Sequence, residues 1–122
     1  MWFEQMHSGW QSALADWKPF LNATEASVAQ LPNLVPAAGN VMAAFQLDPE
    51  LVRVLLVGQD PYPGEGMAVG RAFAVSLEVP KLPQSLRNIF SELTADLGLV
   101  ADLTNPDLPS ADLLGWQEQG VF

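Results

Sequence analysis

The apolar residues Trp10, Leu14, Trp17 and Leu21 recur three or four positions apart, a spacing that predicts one amphipathic core helix over residues 10–21. Thr24 stands where it can cap a second short helix running to Ala29. The stretch LPNLVPAAGN that follows is rich in proline, glycine and asparagine and reads as loop, with a further helical turn over residues 41–45. The pattern then changes. Residues 51–57, LVRVLLV, form a nearly unbroken run of branched apolar side chains, which fits a strand covered on both faces in the parallel sheet of an α/β fold. It stops at Gly58, and the next thirteen residues, GQDPYPGEGMAVG, hold four glycines and two prolines. That composition predicts a loop at the strand's C-terminal end, the edge where open α/β sheets bind ligands.

A second strand is predicted over residues 72–77, followed by the proline-marked loop VPKLPQS. Leu86, Ile89, Phe90, Leu93 and Leu97 then return to helical spacing, with Gly98 placed to end the helix. Residues 101–109 read as an acidic loop. Ser110 can cap a last short helix carrying Trp116, which Gly120 ends. Val121 and Phe122 have the character of an opening third strand. Two strands and part of a third leave a buried-type strand open at its edge, so the expectation is a single partial domain over residues 1–122, the first half of a mainly parallel sheet, with marginal stability.

Length and composition narrow the function classes. With 122 residues, about half of them apolar, there is room for one core and not for two. No cysteine is present, which excludes disulfide and thiolate chemistry and allows a cytosolic setting. The start, Met1-Trp2-Phe3-Glu4, has no basic region ahead of an apolar run, and no apolar stretch reaches the length of a membrane span, so the sequence reads as soluble and unprocessed. Fourteen acidic residues face five basic ones, for a net charge of −9, and this weighs against a nucleic-acid partner. Four of the five basic residues (Arg53, Arg71, Lys81 and Arg87) nevertheless fall in the middle of the chain, where a local contact surface can form.

Candidate chemistry gathers at Gly58-Gln59-Asp60-Pro61-Tyr62. A carboxylate is set at the lip of a sheet between a glycine that admits close approach and a proline that stiffens the turn. Asp60 so held can act as a general base on water, as a partner for a developing cation, or as a metal ligand; alternatively it only caps a turn.

Four blocks in order carry a resemblance. VRVLLVGQDPYP, GRAFAV, KLPQSLRNIF and LLGWQEQGVF together resemble the first half of the uracil-DNA glycosylases, colinearly from about Pro36 to Phe122. The resemblance implies a three-layer α/β/α fold with a mainly parallel central sheet, here only its first half. It implies hydrolysis of the N-glycosidic bond of deoxyuridine in single- or double-stranded DNA, with the base flipped into a tight pocket, by a cytoplasmic monomer that needs no metal or organic cofactor. Asp60 would stabilise the sugar cation and orient the attacking water. Gln59 and Asp60 would line the base pocket through their backbone groups, Tyr62 would exclude a methyl at C5 of the pyrimidine, and Phe73 would stack on the base. Pro83 and Ser85 would contact the DNA backbone, Ser85 gripping a phosphate; read without the family, Ser85 is a helix cap and Phe73 strand core.

The sequence departs from the family pattern at Pro63, Val69, Arg71 and Ala74, where histidine, histidine, leucine and serine are usual. The family's base-reading asparagine, leaving-group histidine and intercalating leucine have no counterpart here. His7 precedes the matched region and reads as an unrelated surface residue, and Asn88 falls inside a helix. Catalytic groups that act as a unit lose nearly everything when part is missing, so little turnover is expected of these residues alone. Two other readings stay open. One is a non-catalytic module using loop 58–70 for a nucleotide or other anion, although the loop lacks the glycine spacing and lysine of a phosphate-binding signature. The other is an interaction protein whose acidic surface is its function.

Overall fold

A computed structural model describes residues 1–99 and 109–122, so the acidic loop expected over residues 101–109 lies, Pro109 apart, outside the described residues. Among the described residues there are five helices: α1 (Trp2–Gln5), α2 (Ser8–Ala13), α3 (Lys18–Val28), α4 (Gln84–Leu97) and α5 (Leu114–Glu118). Single 3-10 turns lie at Ala15–Trp17, Ala38–Asn40, Ala44–Gln46 and Pro49–Leu51. Among the described residues no helix is long and apolar enough to cross a membrane.

The single helix expected over residues 10–21 is instead broken into α2, a 3-10 turn and α3. Pro19 explains the break: it has no N–H to donate and its ring collides with the carbonyl four residues back, whereas in the first turn of a new helix neither matters. Thr24 is therefore inside α3 and caps nothing, its hydroxyl donating back to the Phe20 carbonyl at 2.9 Å. The main-chain N–H of Trp2 donates to the Glu25 carboxylate at 2.8 Å and ties α1 to α3. Trp2, Phe3, Met6 and Met42 form a first core cluster, with Trp10, Leu14, Leu21 and Phe45 packed against it.

The expected parallel central sheet is not there. Among the described residues the extended backbone forms only two isolated bridges, parallel between Val54 and Val121 and antiparallel between Ala68 and Val75. Residues 53–56 pair with residues 120–122 alone: Leu56 N–H donates to the Phe122 carbonyl and Phe122 N–H to that of Val54, both at 2.8 Å. One neighbour of this length cannot build a ladder, and a run read as buried on both faces is left with Val54, Leu55 and Val57 at 52%, 65% and 74% exposure. The second expected strand, residues 72–77, fails for a local reason. Phe73 takes a left-handed φ of 62°, Ala74 N–H closes a turn onto Arg71, and Val75 N–H donates to Ala111, so the backbone groups a strand would offer are already used.

The long helix is where the sequence placed it. Leu86 and Phe90 of α4 are buried against Ala74, Val75 and Leu113 in a second core cluster, and Gly98 ends the helix at a φ of 65°. Ser110 does not cap α5 directly; its hydroxyl donates to Asp112 at 2.6 Å, and Asp112 accepts the Leu114 N–H at 3.1 Å. The two clusters are tied by Gln117, whose side-chain amide donates to the carbonyls of Ala43 (2.9 Å) and Ala44 (3.2 Å).

Candidate active site

Between the two clusters lies a cleft of about 720 Å³. One wall is apolar and comes from the N-terminal half, through Trp2, Val28, Leu34, Pro36 and Val41. The facing wall holds Gln59, Asp60, Tyr62, Phe73 and Ser85, five of the six residues singled out in the sequence. Pro83 is not in the lining; it precedes the first turn of α4, where its carbonyl accepts the Arg87 N–H at 3.0 Å.

Loop 58–63 hangs from the end of the extended segment, and Gly58 lies beside Phe73, where an added Cβ would make only ordinary contact, 3.9 Å from Phe73 Cε2. Tyr62 is half-buried, with its hydroxyl 2.6 Å from Ser85 Oγ and 3.4 Å from the Phe73 carbonyl. Ser85 is the second residue of α4 and makes no capping bond, so its hydroxyl serves the tyrosine and not the helix end. Asp60 is exposed, and its carboxylate accepts from the side-chain amide of Gln59 at 2.9 Å. The expectation of a tightly held carboxylate therefore meets a looser arrangement, in which the neighbouring amide alone orients it among the described residues.

Asp60 and Arg71 are the charged residues in the lining. Arg71 points back into the structure, its Nε donating to the Asp112 carbonyl at 2.8 Å and its terminal nitrogen to Gln117 at 3.4 Å. Sequence reasoning missed this tie, since partners 41 and 46 residues away leave no mark in local spacing. The N-terminal wall was missed as well, because its residues read as loop and helix core. Gly70 closes the floor: at a φ of 81°, its Cα lies so close to the Asn40 carbonyl that any Cβ would overlap it. Burial raises the Asp112 carboxyl, but the Ser110 hydroxyl, the Leu114 N–H and the Arg71 charge outweigh it, and the group is held below its ordinary value. His7 accepts the Gly9 N–H at 3.2 Å as the cap of α2, away from this lining. Among the described residues no group of three or more histidine, cysteine, aspartate or glutamate side chains could hold a metal ion.

An exposed carboxylate, Asp60, and two aromatic rings, Tyr62 and Phe73, thus share one wall of the cleft. No family model matches the chain. It is 48% identical, over 98% of its length, to "Uracil-DNA glycosylase 1" of Streptomyces avermitilis, and 49% identical to a uracil-DNA glycosylase of Thermobifida fusca. The corresponding protein of Mycolicibacterium smegmatis is 43% identical over the same share. The chain spans about half the length of these relatives, 52%, 51% and 52% respectively. Over the half that it spans, the chain is similar by sequence to these uracil-DNA glycosylases.

Proposed function

We propose that this chain carries the water-activating and base-screening part of a uracil-DNA glycosylase, which hydrolyses the N-glycosidic bond of deoxyuridine in DNA and so starts base excision repair. The observation that carries the reading is the common cleft: Gln59, Asp60, Tyr62, Phe73 and Ser85, spread over 27 positions of sequence, line one cavity. Uracil enters edge-on between Tyr62 and Phe73. Phe73 stacks on its face, and the Tyr62 ring stands where a methyl at C5 would lie, which rejects thymine by overlap. As the glycosidic bond lengthens, positive charge grows on the sugar, and the exposed carboxylate of Asp60 stabilises it and orients water for attack at C1′. The uracil leaves as an anion, which needs hydrogen-bond donors beside it.

Cleavage of a polymer needs an open entrance, and a cleft of about 720 Å³ is several times the size of a single base, which suits an extruded nucleotide with part of its backbone. The net charge of −9 weighs against a tightly held DNA partner, and with few Lys and Arg to neutralise phosphates the affinity should fall only gently with salt. The protein is assigned to the cytoplasm, as one domain that is a monomer when dilute, and no cofactor enters the mechanism.

The test measures two quantities on single-stranded oligonucleotides that carry one deoxyuridine or one thymidine. Binding should favour deoxyuridine; uracil release by these residues alone should be slow, and Asp60→Asn should keep the preference while lowering that slow release by about 100-fold or more, to background, the scale of a lost electrostatic or general-base contribution. Release that survives the substitution, or equal affinity for the two oligonucleotides, would sink the reading.

A further inference from the structure

Ser85, Tyr62 and Phe73 are joined by a chain of polar contacts that no role in bond cleavage requires. The Tyr62–Ser85 separation of 2.6 Å is at the short end for two hydroxyls, and the second contact, from the same phenol to the Phe73 carbonyl, is longer at 3.4 Å. Each hydroxyl has one proton to give. If Ser85 donates to Tyr62, the phenol's proton goes to Phe73; if Tyr62 donates to Ser85, the serine proton is left for an outside acceptor. Either way the tyrosine ring is fixed at its far end by the first turn of α4, a helix buried through Leu86 and Phe90. Phe73 at the other end sits at a φ of 62°, a conformation that a bulky residue keeps only when its surroundings impose it.

We propose that Ser85 is a positioning residue for specificity: its hydroxyl pins the Tyr62 phenol, and through it the Phe73 carbonyl, so the gap between the two rings is set from the core helix. The proposal rests on the uracil reading of the cleft. It adds that a methyl-sized difference between bases is judged by a ring whose place depends on a hydroxyl 23 positions away. The Phe73 tie holds when Ser85 donates to the phenol; with Tyr62 as donor, Ser85 still holds the ring and can offer its own proton to a phosphate oxygen, but the phenol then has none left for the Phe73 carbonyl.

Tyr62 is the sole tyrosine in the chain, so ring-labelled tyrosine gives one set of nuclear magnetic resonance signals. Ser85→Ala should shift those signals and speed the flipping of the ring, whereas Ser85→Thr, which keeps the hydroxyl, should leave both near wild type. The ratio of uracil to thymine affinity, titrated with the free bases, should fall roughly five- to tenfold in Ser85→Ala, the loss of about one hydrogen bond. Tyr62→Phe, which keeps the ring and removes the phenol, should show the same loss, and the double variant no more than either alone. Tyrosine signals that do not move in Ser85→Ala, or that move equally in the threonine variant, overturn the proposal; so does an unchanged affinity ratio, which a merely structural serine would give. A wild-type chain that binds neither base refutes the uracil reading instead, and the tyrosine signals then still decide whether Ser85 holds the ring.

Discussion

Gln117 has the most constrained chemistry of any side chain outside the cleft. Its oxygen accepts from Arg71 while its nitrogen donates to two carbonyls, and of the side chains of that shape only an amide does both. Gln117→Glu would keep the arginine and turn two donated bonds into repulsions in a buried place. The expected outcome is a loss of about 1–3 kcal/mol in urea unfolding. Gly70→Ala meets a harder obstacle, since it adds a Cβ against the Asn40 carbonyl at a φ that disfavours it; most of the chain should be insoluble or unfolded by circular dichroism. At this scale the sequence was informative where function is encoded locally. Gly58-Gln59-Asp60-Pro61-Tyr62 could be read in five letters, but Arg71 could not, because nothing near it in the chain announces partners as far off as Asp112 and Gln117.

Among the elements, α4 anchors both the second cluster and the serine end of the cleft. Leu86 is fully buried, and Leu86→Ala should cost about 2–5 kcal/mol by thermal or urea unfolding. The start of α5 is held by a charge. Because Asp112 has a folded-state pKa below its ordinary 3.8, its contribution is present above that value and is lost as pH falls through the lower folded value. Stability should therefore drop on acidification below about pH 4, and Asp112→Asn should flatten part of that acid limb in a pH series of melting curves. Helices were legible from spacing wherever nothing interrupted the period, as in α4 with its terminal Gly98. Residues 10–21 kept the period and still broke, since Pro19 overrides apolar spacing within one turn.

For the whole molecule, the consequential feature is the run over residues 51–57. Its composition predicts a strand, yet Leu51 closes a 3-10 turn and Val54 alone makes a bridge; what a run of apolar residues cannot tell is how many neighbours will pair with it. Here residues 120–122 are the paired partner among the described residues, and Leu55 and Val57 face outward. Exposed apolar edges associate, even against a net charge of −9. Sedimentation should show a mass that rises with concentration, and Leu55→Lys should lower that rise; a wild-type chain that stays monomeric at high concentration would contradict it.

The division into two clusters has an optical side. Trp2 and Trp10 belong to one core cluster and Trp116 packs against the other, so emission from single-tryptophan versions of the chain would report each cluster separately. Coincident transitions would mean that the two clusters melt as one cooperative body, and staggered ones that one melts while the other still stands.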